Sequence, residues 1–416
     1  MAPRLGRALR HRNYRLFFIG QGTSVIGTWL TRFATVWMAY RLTHSAWVLG
    51  VLGFCSQAPT CLLAPIGGVW VDRLDRHRVI VVTQIAAMLQ SAALAFFTFT
   101  GLMTVWHLAV LGAIQGVINA FDMPARQSFL RQMIEDRADL PNAIALNSSM
   151  VNGARLIGPV VAAELVAWFG EGWCFTIDAA SYLAVIASLL MMRVAKRELP
   201  PRGGGVWDEM VDGWRYVAKA PLVRAVLLLL VGSSVLGGSY STLLPLIAGG
   251  PLGGGPHTLG LLMGAAGLGA LCGALYLAQR QSVVGLGTVI SRCAMGLGVG
   301  MVAINFATTT WIAVPIMFVV GTSLMVQMAS TNTIIQTIVD HDKLGRVMSL
   351  YAVAFFGGAP LGALLEGSLA SSIGAMRTFL VAGLAMMACA LAFARALPGL
   401  RELSRPLYVK LHLIDE

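Results

Sequence analysis

Arg32, Arg155, Glu164, Asp178 and Glu366 stand inside long, otherwise apolar runs of the chain. A charge sunk in hydrocarbon is expensive, so each must face a partner, a polar interior or water. The chemistry open to such groups is specific. A buried carboxylate tuned by a nearby cation can take a proton on one side of a membrane and release it on the other. Glu164, Glu366 and Asp178 are the candidate proton-coupling acids. For each, the alternative is a hydrogen-bonded or water-facing acid with no coupling role. Arg32 and Arg155 are their candidate partners, or contacts for an anionic solute. Arg155 and Glu164 are nine residues apart, about 13–14 Å along a helix, and cannot pair directly.

Polar side chains share the same runs. Gln21, Arg32, Gln115, Asn119, Asn152, Arg155, Tyr240, Gln327 and Tyr351 are the candidate lining of a wet cavity, drawn from the first, fourth, fifth, seventh, tenth and eleventh apolar runs. Met325 and Met328 suit an adaptable apolar wall or plain helix packing. Asp122 and Arg126 are four apart and share a helix face. They read either as a local ion pair or as part of a gate. The histidines are dispersed and are expected to pair with nothing.

The elements that position these residues follow from composition. The chain has 416 residues, 57% hydrophobic and 12% charged, with net charge +11 and mean hydropathy +0.73. Soluble domains are not built that way. A helix needs about 20 apolar residues to cross a bilayer. Twelve segments qualify: 14–40, 45–71, 77–100, 104–131, 139–168, 172–193, 222–249, 256–280, 284–307, 309–338, 343–372 and 374–397. The fold class expected is therefore an all-α membrane protein of twelve transmembrane helices. The first run outlasts a signal peptide, so it reads as a true span. The basic segment Arg4 to Arg15 before it reads as a short helix on the inner leaflet.

Basic residues crowd one set of connections, above all Asp72-Arg73-Leu74-Asp75-Arg76-His77-Arg78, and the opposite set holds only Arg41 and Arg377. The positive-inside rule then puts both termini in the cytoplasm. Scattered over short loops, the positive charge does not suit nucleic acid. The cysteines lie mostly in apolar runs with no C-x-x-C pattern, which argues against a metal site or disulfide framework. No cofactor is expected. The only dense acidic cluster, Glu135 to Asp139, is interleaved with a base and reads as a solvated turn, which disfavours a membrane enzyme. No phosphate-binding P-loop is present, so ATP does not drive the chain directly.

The two halves repeat. Gly22-Thr-Ser-Val-Ile-Gly27 matches Gly232-Ser-Ser-Val-Leu-Gly237, Gly116 through Glu135 aligns without gaps on Gly321 through Asp340, and Pro159 matches Pro360. Glu366 falls one step off the counterpart of Glu164. Offsets near 200–210 mean two parallel six-helix repeats, which in transporters surround a midplane site. The boundaries expected are 1–195 for the first bundle, 196–221 for a cytoplasmic linker with an amphipathic helix, 222–398 for the second bundle and 399–416 for a cytoplasmic tail. Trp207, Met210, Val211, Trp214 and Val217 form the linker helix's apolar face.

Tyr14-Arg15-Leu16-Phe17, Ala46-Trp47-Val48-Leu49-Gly50, Asp72-Arg73-Leu74-Asp75-Arg76, Phe121-Asp122-Met123-Pro124-Ala125-Arg126-Gln127 and Asn142 through Gly158-Pro159 together resemble the major facilitator superfamily. The branch is that of the enterobactin exporters and macrolide and other drug efflux pumps. The resemblance implies a proton-coupled exporter of a siderophore or amphipathic drug-like compound, of the drug:proton antiporter kind. It would be a monomer in the bacterial inner membrane, with protons and lipid as its other partners. Carried over, Asp72, Arg73 and Arg76 would form a cytoplasmic gating latch with Asp122 and Arg126. Three departures stand out. The Arg that many proton-coupled drug exporters carry four residues before the span-four Gly is Gly112 here. The branch usually has Glu eight residues after the span-four Pro, where this chain has Gln132. The Gly pair that trails Gly-Pro in the antiporter signature is Ala162-Ala163. An importer or lysolipid flippase of the same fold is the alternative function.

Overall fold

The computed structural model describes residues 6–193, 206–238, 240–280 and 282–410, without the side chains of 65, 69, 72, 137, 206–211, 341–342, 404–408 and 410. The expected linker stretch 196–205 and the last six residues of the tail lie outside the described residues. Among those described, the chain is helical with no strand. Fourteen helices carry it: α1 (Arg12–Thr43), α2 (Ala46–Arg73), α3 (Arg76–Phe99), α4 (Val105–Leu130), α5 (Leu140–Phe169), α6 (Glu171–Leu190), α7 (Val206–Lys219), α8 (Pro221–Leu236), α9 (Tyr240–Gly249), α10 (Pro256–Ala278), α11 (Leu286–Ala303), α12 (Thr310–Ile338), α13 (His341–Ile373) and α14 (Ala375–Lys410).

Eleven stretches of the described residues are long and apolar enough to cross a membrane. The twelfth expected span, α1, has 32 residues but alternates glycine, hydroxyl and amide side chains with its apolar ones. The seventh span is broken into α8 and α9 at Gly237 and Gly238. Two adjacent glycines each weaken a helix by about 1 kcal/mol relative to Ala, and Pro245 removes a hydrogen bond shortly beyond them.

The chain forms two compact units. One is Met1–His44, Cys55–Pro201 and Gly255–Gly264; the other is Ser45–Phe54, Arg202–Gly254 and Ala265–Glu416. Inside the first, α1 packs on α5 and α6, and α3 on α4 and α6. Inside the second, α8 packs on α13 and α14, and α11 on α12 and α14. Helix by helix, this is the same arrangement. It extends to single residues: a Cβ added to Gly116 of α4 would strike the Ser56 carbonyl of α2, and one added to Gly321 of α12 would strike the Ala266 carbonyl of α10. Both glycines permit close helix approach at equivalent places in the repeat.

The basic N-terminal segment is not a free surface helix. Arg7–Arg10 make one 3-10 turn docked on the start of α5. The Ala8 N–H donates to Asn142 Oδ1 at 3.0 Å, and the Tyr14 hydroxyl donates to the Ala143 carbonyl at 2.9 Å. Arg7 and His11 flank Asp139 at 3.1 and 3.2 Å. Asp139 and Asn142 satisfy donors that a leaflet helix would leave to water. The amphipathic α7 forms over 206–219 and docks on α13. Asp212 meets Arg346 at 2.9 Å, Gly213 lies against the Arg346 backbone, and Val217 is buried. Trp214 stays exposed.

Candidate functional site

Asp122 is the best-held acid of the first unit. α4 presents it at the α3 face, where Thr83 and Gln84 donate to Oδ1 at 2.8 and 2.9 Å. Its other oxygen meets Arg126 Nε at 2.6 Å, one helical turn on. Asp122 is buried and Arg126 nearly so, so each charge enters the interior only because the other neutralises it. Arg73 is exposed and Arg76 half-buried at the ends of α2 and α3. The Asp72 side chain lies outside the described residues. Asp75 caps α3, accepting from the His77 and Arg78 N–H groups at 3.0 and 3.4 Å. The His77 ring reaches the Leu189 carbonyl at 2.8 Å.

Asp178 of α6 is buried and accepts from Ser91 Oγ of α3 at 2.8 Å. Gly27 of α1 makes room for it, because a Cβ there would lie 2.7 Å from Asp178 Oδ1. The buried Glu171 at the head of α6 holds Arg41 of α1 through two hydrogen bonds of 2.8 and 3.1 Å.

Arg32 lies on the accessible surface of its bundle, with its guanidinium 5.3 Å from the centre of the Trp29 ring. Trp29 is seated by Gly158, where any Cβ would collide with that of the tryptophan. The Gly158-Pro159 step of α5 thus sets the ring under Arg32. Arg155 is half-buried mid-way along α5, with no hydrogen bond or ion pair among the described residues. Asn152 turns back to the Ser148 carbonyl at 2.9 Å, and Gln115 donates to Asn119 at 3.1 Å along α4. Gln21 is buried with its carbonyl oxygen unpaired.

In the second unit, Gln327 of α12 is fully buried and donates to Ser233 of α8. Tyr351 of α13 donates to the Met328 carbonyl at 3.3 Å, and Tyr240 is buried at the start of α9. A shallow apolar groove of about 720 Å³ runs between α1 and α6, and none of the nine predicted cavity residues lines it. Among the described residues, no three His, Cys, Asp or Glu side chains gather as a metal site would need.

Glu164 and Glu366 differ sharply. Glu164, near the end of α5, is exposed. It meets His257 Nδ1 at 3.0 Å and accepts from Trp168 Nε1 at 3.3 Å. Glu366, on α13, is 5% exposed, and neither carboxylate oxygen has a partner among the described residues. The His257–Glu164 pair departs from the expectation that the histidines pair with nothing. His11 with Asp139 and His107, which caps α4 at Thr104, depart from it too. No pattern in the sequence signals the pairing, since in the internal repeat Pro256-His257-Thr258-Leu259-Gly260 matches Ala46-Trp47-Val48-Leu49-Gly50 and puts Trp47 opposite the histidine.

Two repeated bundles of membrane-length helices, with ion pairs held in the first, make a multi-pass membrane protein. The comparisons with known proteins agree. Residues 7–406 match the family model described as transmembrane secretion effector. The chain is 23% identical to the staphyloferrin A transporter of Staphylococcus aureus over 91% of this chain and 95% of that protein. It is 25% identical to the multidrug efflux pump Tap of Mycolicibacterium fortuitum (92% and 94%) and 24% identical to the enterobactin exporter EntS of Salmonella typhimurium (94% and 94%). A POT family transporter solved with 5-aminolevulinic acid superposes with a TM-score of 0.73 at 11% identity, covering 94% of this chain and 96% of that one. The chain belongs to the transmembrane secretion effector family of the major facilitator superfamily. It is a transporter and not an enzyme.

Proposed function

We propose that the protein is a secondary active exporter of a siderophore or amphipathic drug-like compound, driven by proton antiport through alternating access. It would lie in the bacterial cytoplasmic membrane with both termini inside. In this reading residues 1–195 and 222–398 are the two moving bundles, joined by 196–221, with 399–416 as the tail. Arg73, Arg76 and Asp72 form the cytoplasmic latch, with Asp122–Arg126 as its anchor. Staphyloferrin A transport, enterobactin export and multidrug efflux by the relatives support the substrate class.

The observation that carries an anionic, siderophore-like substrate is Arg155. Its half-buried guanidinium sits mid-span without a protein counter-ion among the described residues, and such intramembrane charge is functional by default. Arg32, stacked on Trp29, supplies a second cation on the adjoining α1. The test is efflux of enterobactin, erythromycin and ethidium from cells lacking the gene, with and without the protein restored. Retention of all three in restored cells would sink the export reading. Arg155→Ala should abolish enterobactin efflux and spare ethidium; unchanged enterobactin efflux would remove Arg155 from the substrate site.

A further inference from the structure

We propose that Glu366 alone, of the three intramembrane acids, carries the coupling proton, and that its neutral form holds the α2–α13 seam closed. This rests on the proton-coupled reading above. In the second unit the first turns of α2 nearly touch α13 backbone to backbone. A Cβ at Gly50 would lie 2.6 Å from the Ala363 carbonyl. One at Gly367 would lie 2.7 Å from the Gly50 Cα and 2.9 Å from the Ala46 carbonyl. Glu366 precedes Gly367 on α13 and is buried, and among the described residues neither of its carboxylate oxygens has a hydrogen-bond partner.

The ionisable groups around it offer no charge to balance it. Residues 45–54 hold no Asp, Glu, Lys, Arg or His, and α9 contributes only Tyr240. α12 carries no charged residue, α8 carries only the exposed Arg224 in its first turn, and Arg377 at the head of α14 and Arg395 further along it are exposed. Lys343 and Arg346 lie 20 or more residues away at the other end of α13, about 30 Å along the helix, and Arg346 is bound to Asp212. An ionised Glu366 would therefore be buried without hydrogen bond or counter-ion, the costliest state a carboxylate can occupy. The neutral acid avoids that cost.

The other two acids are better partnered: one oxygen of Asp178 accepts from Ser91 while its Oδ1 has no hydrogen bond among the described residues, and Glu164 is exposed beside His257. Alternating access would part the α2–α13 seam. Parting it hydrates Glu366 and permits ionisation. Proton binding and seam closure then favour one another. The proton arrives from water on one side as an O–H on Glu366 and departs to water on the other; no other bond changes.

The test uses the full-length wild-type protein in proteoliposomes and dicyclohexylcarbodiimide, which takes the proton of a neutral carboxyl group while the carboxylate oxygen adds to its central carbon. Peptide mapping should place the adduct on Glu366 and not on Glu164 or Asp178. Labelling should fall about tenfold for each pH unit above the midpoint. No adduct on Glu366, or an adduct on Asp178 or Glu164 instead, overturns the assignment. A second arm follows enterobactin, erythromycin and ethidium under an imposed pH gradient. Glu366→Gln should lose gradient-driven accumulation and keep energy-independent exchange, which also shows that it folds. Gradient-driven transport equal to wild type would overturn the assignment and leave proton coupling standing. A wild-type protein indifferent to the gradient would overturn proton coupling itself.

Discussion

Glu164 and Glu366 occupy almost the same place in the internal repeat, yet one is exposed beside a histidine and the other is buried alone. The difference is a single step in sequence. Pro159 and Pro360 align, which puts Leu365 and not Glu366 opposite Glu164. One residue turns a side chain by about 100° on a helix, enough to carry it from the rim of α5 to the buried face of α13. The partner changes too, because the counterpart of His257 is Trp47. Equivalent backbones thus hold two acids of opposite character.

The same divergence recurs in the helix cores. Asp122 and Arg126 of α4 align with Gln327 and Thr331 of α12. The first unit holds α3 to α4 around an ion pair, and the second holds α8 to α12 by the Gln327–Ser233 hydrogen bond. The connectors follow suit. Asp75 caps backbone N–H groups after α2, whereas Arg280 donates to the Ser282 and Val284 carbonyls after α10, at 3.0 and 2.6 Å. In the helix cores the first unit thus uses an ion pair where the second uses a neutral polar contact.

That contrast can be broken from either side. The largest effect is expected for Asp122→Ala, which strands the Arg126 guanidinium and two donors. It should cost about 3–5 kcal/mol, read as a large fall in the melting temperature of the detergent-solubilised protein. Gln327→Ala, the matching change in the second unit, leaves only neutral groups unsatisfied and should cost about 1–3 kcal/mol. Equal losses would show that the charge difference has no energetic meaning.

Gly50→Ala and Gly158→Ala come next. Each forces a methyl into a neighbouring helix, and overpacking of this kind costs about 1–3 kcal/mol. They should separate by function. Gly158→Ala moves the Trp29 platform and weakens transport of the anionic substrate, while Gly50→Ala disturbs the Glu366 seam and the response to a pH gradient. The smallest effect belongs to His257→Gln. This exposed pair should contribute less than about 1 kcal/mol to stability. A melting shift as large as that of Asp122→Ala would contradict the ranking.

Much of this was legible before any coordinates. Hydropathy marked the spans, because crossing a bilayer demands unbroken apolar length. The glycine alignments of the two halves recur as matched close contacts, Gly116 on α2 and Gly321 on α10. The i, i+4 spacing of Asp122 and Arg126 offered their pairing as one of two readings, but Thr83 and Gln84 lie 39 and 38 residues away and no local pattern points to them. His257 was missed for the same reason, since its acid is 93 residues distant. The docking of Arg7–Arg10 on α5 was hidden because basic residues before a span suggest lipid headgroups as readily as Asp139. The break at Gly237-Gly238 was hidden because hydropathy averages over it.

The most direct test of the account is accumulation of enterobactin, erythromycin and ethidium in everted membrane vesicles bearing the wild-type protein. Proton-driven export predicts uptake into the vesicle lumen that collapses when nigericin dissipates the pH gradient. Uptake that persists without the gradient, or no uptake of any of the three, would contradict it.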